Sequence, residues 1–220
     1  MKTMMIAATM VVAVALLALT MPAAAAPSLQ GPTGLLLTPT TDTLNASEYN
    51  AAFFTLEMGE GNDARVLAAN LGLSRGVEVG FANIRPDQGS SETILNAKWR
   101  FQAEQGGKPA LAVGVIDLGD EIDMTAYLVA SMPLSKVLEV SKKSVSAPRL
   151  NVGIGGGMLD GLFAGVSVVV AERWTLMAEY DTEDLNLGAR YALQNGIRLH
   201  AGWIDGLDNL ALGISLNKTY

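Results

Sequence analysis

The chain contains no cysteine among its 220 residues. Disulfides, thiolate nucleophiles and Cys-based metal sites are excluded. It contains one histidine, His200, so an imidazole metal centre or a Ser-His-Asp triad has no spare group to draw on. Beyond the N-terminus no apolar run approaches the ~20 residues that a membrane helix requires. Yet 50% of the residues are hydrophobic, so apolarity is distributed through shorter segments. Charged residues make up only 17%, with a formal net charge of −7. That sign opposes a general nucleic-acid role, which depends on neutralising phosphates. A nucleotide loop is also missing. Gly153, Gly155, Gly156 and Gly157 are followed by neither a P-loop Lys-Ser/Thr nor a helix start.

The N-terminus sets the compartment. Lys2 precedes the almost wholly apolar stretch Met4–Leu19, then Pro22 and a run of alanines. A positive region, an apolar region and a small-residue cleavage site form a secretory signal. Cleavage after Ala25 fits the small-residue rule, and the alternative is an uncleaved N-terminal anchor. Loss of residues 1–25 removes Lys2 and leaves 14 basic against 22 acidic residues, a mature charge of −8. The expected division is a signal peptide over 1–25, an extended segment over 26–47 that can act as a plug, and a β-domain over 48–220.

From Glu48 onward the side chains alternate. Leu67, Ala69, Leu71 and Leu73 oppose Ala68, Asn70 and Gly72, while Leu95, Ala97, Trp99 and Phe101 oppose Asn96, Lys98, Arg100 and Gln102. The C-terminal stretch is clearest. Leu185–Leu193, Ile197–Trp203 and Leu210–Leu216 each place an uncharged apolar face against Asn, Gly, Arg, His or Ser. A period of two is the mark of a sheet whose faces meet different surroundings. About twelve strands follow from this pattern, with a range of roughly ten to fourteen. Ala110–Ile116 and Met124–Met132 are small and apolar on both faces, so their orientation stays open. Gln194-Asn195-Gly196 suits a three-residue loop built from a type I turn and a G1 bulge, which sets Leu193 opposite Ile197 and Arg190 opposite His200. The long connection Pro133–Pro148 carries Leu134, Val137, Leu138 and Ser141 at helical spacing, the one helix expected in the mature chain.

An exported β-sandwich and a transmembrane barrel both explain alternation. Three features favour the barrel. The clear segments run to about 9–11 residues, the length that crosses a bilayer when tilted. The face opposite the apolar one is rich in Gly, Ala, Ser and Asn, which suits a crowded interior. Aromatics stand near segment ends at Trp174, Tyr180, Trp203 and Tyr220, as in interfacial girdles. The reading is an all-β single antiparallel meander closed into a transmembrane β-barrel in the outer membrane of a Gram-negative or other diderm bacterium.

The segment Gln30-Gly31-Pro32-Thr33-Gly34-Leu35-Leu36-Leu37-Thr38-Pro39-Thr40, just after the signal, resembles the start of the YjbH family of outer-membrane β-barrel proteins. The stretches Ala178–Asp181, Asn186–Tyr191 and Ala201–Trp203 are also similar to that family. The resemblance covers about a third of the chain. It implies a non-enzymatic role in envelope structure or exopolysaccharide export, with polysaccharide or export components as partners. The last strand, through Leu212, Ile214 and Leu216 to Tyr220, resembles the C-terminal signal read by the outer-membrane assembly machinery, with Lys218 departing from the pattern.

Candidate chemistry is sparse. Glu179, Arg190, Arg198 and His200 form one polar cluster on the interior face, and Asn96, Lys98 and Arg100 a second. They can bind an anion or saccharide, or simply satisfy one another, as buried polar groups must. Asp117, Asp120, Glu121 and Asp123 share a loop, but their spacing lacks the Gly and terminal Glu of an EF-hand. No catalytic group, cofactor or metal site is expected. The alternatives to the envelope role are a porin-like passive channel and a soluble periplasmic β-protein that binds a ligand.

Overall fold

The computed structural model describes residues 25–59, 63–134 and 145–220. Residues 1–24 of the expected signal peptide, and residues 135–144 with most of the expected helix, lie outside them. Twelve antiparallel strands form a single meander: β1 (Glu48–Glu57), β2 (Ala64–Ser74), β3 (Val77–Pro86), β4 (Glu92–Gln102), β5 (Ala110–Ile116), β6 (Thr125–Pro133), β7 (Arg149–Gly155), β8 (Gly161–Val170), β9 (Trp174–Tyr180), β10 (Leu185–Ala192), β11 (Ile197–Ile204) and β12 (Asn209–Thr219). Each strand pairs with the next. β1 then pairs with β12 over Glu48↔Thr219 to Glu57↔Leu210 and closes the barrel. Closure removes the unpaired strand edges that an open sheet would expose.

The even strand number places both ends of the β-domain at one rim, here the terminal rim. The connections at 75–76 and 193–196, the end of β6 and the start of β7 lie there too. The connections at 87–91, 117–124, 156–160, 181–184 and 205–208 lie at the opposite rim. Strands run from seven to eleven residues; β5 spans the expected Ala110–Ile116, while β7 ends at Gly155, short of the Met158 its pattern implied.

Alternation decides the two faces. Outward side chains include Phe53, Leu67, Leu95, Leu128, Ile154, Leu162, Leu176, Leu199 and Ile214, all exposed. Charges on this outer face are confined to Glu57, Arg65, Arg85 and Lys218, each at a strand end or one residue from it. An uncharged apolar band bounded by charges is the surface that a bilayer solvates. Tyr49, Trp99, Phe101, Trp174 and Tyr191 ring the terminal rim. Tyr220 packs against Tyr49 (centroids 6.4 Å apart) and Trp174 against Tyr191 (4.7 Å). Tyr180 and Trp203 stand at the other rim.

The strands of open orientation are settled by a size match. Inward Gly114 pairs with inward Tyr127, and a Cβ on Gly114 would lie 2.3 Å from the Tyr127 hydroxyl. Gly153 faces Phe163 and Gly213 faces Phe54 in the same way. Large rings thus lie over glycines across the ladder and fill the narrow interior.

Two local expectations are corrected. At 194–197 the register holds, with Leu193 N–H donating to Ile197 O (2.9 Å) and Arg190 opposite His200. The turn differs, because both Asn195 (φ 58°) and Gly196 (φ 79°) are left-handed, a type I′ pair that matches strand twist better than type I. After Gly155, Met158 does not continue β7. Gly157–Leu159 form a 3-10 turn that points Leu159 into the barrel, the one helical turn among the described residues.

Candidate functional site: a lumen occupied by residues 25–47

The interior is a packed core with residues 25–47 running through it. From Ala26 to Leu36 every residue except Gln30 is buried. The segment enters at the terminal rim, where Asn50 Nδ2 and Asn217 Nδ2 both donate to Ala25 O (3.2 Å each). It folds on itself through Leu29 N–H to Leu36 O (2.8 Å) and Leu35 N–H to Thr38 O (2.9 Å). It returns to the same rim, where Ser47 O accepts from Tyr220 N–H (2.9 Å). Pro32 and Pro39 donate nothing, and each extends the residue before it, so this segment cannot satisfy itself as a helix would. Its leftover backbone groups are met by the barrel wall.

Three wall clusters meet them. The first is Glu78 with Lys98. Glu78 Oε1 accepts from Thr33 N–H (2.9 Å) and Oε2 from Leu44 N–H (3.0 Å). Lys98 Nζ donates to Thr33 O (2.6 Å) and to Thr33 Oγ1, and lies 3.7 Å from Glu78 Oε1. Glu78 is 1% exposed and Lys98 2%, so neither charge has water to fall back on. The second is Glu179, whose carboxylate accepts from Leu37 N–H (2.7 Å), Thr38 N–H (3.2 Å) and Thr38 Oγ1–H (2.6 Å). The third is Arg190, which donates to Gly34 O (2.9 Å) and Leu35 O (2.5 Å). Smaller groups add to these. Asn70 Nδ2 donates to Gly31 O (2.7 Å), and Ser131 Oγ lies 3.3 Å from Thr41 N.

Apolar contacts fit the same segment to the wall. The Leu36 side chain fills the space that a Cβ on Gly188 or Gly202 would need, at 2.8 Å, and Leu35 does so over Gly165. Gly31 (φ 110°) passes so close to Asn96 that an added Cβ would lie 2.3 Å from its amide nitrogen.

Each sequence-predicted residue can now be placed. Glu179, Arg190, Arg198, His200, Asn96 and Lys98 are buried on the interior face, and Arg100 is half-buried. Arg190 and His200 meet, with Arg190 Nε donating to His200 Nδ1 (3.2 Å). The hydrogen bonds of Glu179 go instead to Leu37 and Thr38. Glu78 was missed as a site residue, although it alternates with Val77 and Val79 and so belongs to the inner face. Its partner lies 45 residues away in the segment, which no local pattern reveals. Asp117 caps its own loop, accepting from Glu121 N–H, Ile122 N–H and Asp123 N–H. Leu212 and Ile214 project outward on β12, Leu216 follows them half-buried, and Tyr220 ends at the rim.

One pair invites a hydrolase reading. His200 Nε2 lies 2.7 Å from Ser215 Oγ. Because Nδ1 accepts from Arg190, the ring proton of the neutral imidazole sits on Nε2. That nitrogen donates to Ser215 and cannot take its proton, and an arginine stands where a triad would place a carboxylate. The pair is a strut between β10, β11 and β12, with Phe54 edge-on to the imidazole (5.3 Å).

The architecture is that of a closed twelve-strand antiparallel barrel with an occupied interior. Among solved structures the chain is similar to the KdgM porin, with a TM-score of 0.54 at 9% identity over 78% of this chain and 99% of that one. The KdgM porin in complex with disordered oligogalacturonate aligns at a TM-score of 0.49 and 8% identity, over 79% of this chain and 99% of that one. A Rhodopseudomonas blastica porin triple mutant aligns at 0.33 and 16%, over 73% of this chain and 57% of that one. The first likeness establishes the fold. No protein-family model matches the sequence, and no curated protein does.

Proposed function

We propose that this chain is a non-enzymatic outer-membrane β-barrel, porin-like in fold, whose pathway is held shut by its own residues 26–47. The carrying observation is that the most costly interior groups, Glu78, Lys98, Glu179 and Arg190, all bind that segment's backbone or side chains. An open porin presents such groups to water and solute. The apolar outer band and its aromatic rims support bilayer lipid as the surrounding partner, and the apolar, aromatic-ended last strand supports recognition by the assembly machinery. Passage of solute then requires the segment to leave the lumen.

A second reading concerns the envelope role. The residues that resemble the YjbH family, Gln30–Thr40, are the ones the wall clusters hold. A permanently filled barrel suits a structural or export-associated part in exopolysaccharide production better than free diffusion. Planar-bilayer conductance separates the two. The channel reading expects silence from the full mature chain and ion conductance once residues 26–47 are deleted. A deletion variant that folds and inserts but passes no ions would remove the channel reading and leave the envelope one. Recovery of the protein in a detergent-free periplasmic extract would remove both.

A further inference from the structure

Between the segment and the wall, toward the terminal rim, lies a small cavity of about 60 Å³. Arg149 at the start of β7, Arg190 on β10 and Arg198 on β11 converge on it, with Ser167, Thr175 and Asp42 at its edge. Three guanidinium groups around one space are costly unless an anion or a full set of acceptors balances them. Two are largely matched. Arg190 is bonded to Gly34 O, Leu35 O and His200. Arg149 is bonded to Glu104 at 2.9 Å, with Asp42 at 3.9 Å. Arg198 is not matched. It is 9% exposed, and its buried Nη1 has no hydrogen-bond partner among the described residues, nor has the buried Nε of Arg149.

A buried, unpaired guanidinium nitrogen is rare because it forfeits a charge-assisted bond. The cavity exceeds the ~10–15 Å³ that a single water needs, and it suits one compact group with several acceptor oxygens. We infer that this cavity is an oxyanion site, taking a phosphate-sized group or a carboxylate on Arg198 and Arg149, with Ser167 and Thr175 hydroxyls alongside. Arg190 contributes charge while its own bonds hold the segment. The occupant touches both wall and segment, because Gly34, Leu35, Thr40 and Asp42 line the same space. Its binding therefore strengthens the segment's seat. The site stands whether or not the segment ever leaves, so its test is separate from conductance.

The test uses the mature chain folded in detergent micelles, titrated with inorganic phosphate by calorimetry at constant ionic strength. Saturable binding is expected, weakened about tenfold or more by Arg198→Gln, as loss of a charged hydrogen bond implies. Arg65→Gln, at an exposed pair on the opposite rim, leaves it unchanged. Heat-modifiable gel mobility verifies that each variant remains a folded barrel. Glucuronate in competition identifies the source of the oxyanion. Displacement of phosphate assigns the site to a sugar acid, and no displacement assigns it to free phosphate. Absence of saturable phosphate binding to the parent chain, or equal binding by folded Arg198→Gln, overturns the inference.

Discussion

The two ends of the barrel interior are built from opposite materials. Toward the terminal rim the inward side chains are Asn50, Asn70, Glu78, Lys98, Ser131, Asn151, Arg190, Arg198, His200 and Ser215, all buried and polar. Toward the far rim, on the β1–β5 side and at the end of β11, they are Leu56, Val66, Ile94, Ile116 and Ile204, with Leu159 folded in from its loop and Ile84 against them. The polar end is where the segment enters and leaves, and polar groups are needed to satisfy a backbone that has no ladder of its own. The apolar end needs no such partners, because the wall closes there on its own side chains. Three buried polar groups break that pattern: Asn186 and Thr125, which bond to their own rim loops through Asp181, Asp123 and Met158, and Glu179. Glu179 sits near the far rim on β9, where the tip of the segment at Leu37 and Thr38 arrives. The buried charges that bind the segment, Glu78, Lys98, Arg190 and Glu179, follow its path rather than the distance from either rim.

The contrast can be broken from either side, and the effects rank by what is left unpaired. Glu78→Gln strands Lys98 as a buried cation. A loss of about 3–5 kcal/mol is expected in urea unfolding from lipid vesicles. Adding Lys98→Met should recover part of that loss, since the two groups share one network. Leu36→Ala empties the space over Gly188 and Gly202 and should cost roughly 2–5 kcal/mol by the same measurement. Gly202→Val forces a side chain into Leu36 from the wall. About 1–3 kcal/mol is expected, with faster protease cleavage within residues 26–47. Equal cleavage in the parent chain and Gly202→Val would count against a seated segment. Arg65→Gln breaks the exposed pair with Asp87 (3.2 Å) and should change stability by no more than ~1 kcal/mol. If it costs as much as Glu78→Gln, burial is not what sets the scale.

Much of the barrel was readable because a strand's period of two is local. The outward faces of β2, β4 and β10–β12 follow from Leu67, Leu95 and Leu185–Leu216, and the Arg190 to His200 register from the short turn. Strands β5 and β6 resisted, since Ala110–Ile116 is apolar on both faces. What decides them is a cross-strand fit, Gly114 under Tyr127, and that pairing is not local. The inner face was expected to be rich in Gly, Ala, Ser and Asn. Ile94, Ile116 and Ile204 sit on that same inner face and close the far end, which the alternation places but does not interpret. The wall clusters were half legible. Arg190, His200 and Lys98 stand out as charges among glycines, whereas the partners of Glu78 and Glu179 lie 45 and more than 140 residues away. The inner glycines at 165, 188 and 202 were the available signal, since an interior that keeps its wall bare leaves room for something else.

The central claim is that residues 26–47 fill the interior of the barrel and keep it closed. The chain lacks cysteine, so a paired Leu36→Cys and Gly202→Cys variant, which places the two sulfurs where Leu36 already meets the wall, can tie the segment in place. The measurement is single-channel current in a planar bilayer for the mature chain, the tied variant and the chain lacking 26–47. The account predicts silence from the first two and ion conductance from the third. A steady current through the tied variant, equal to that of the deletion, would contradict it.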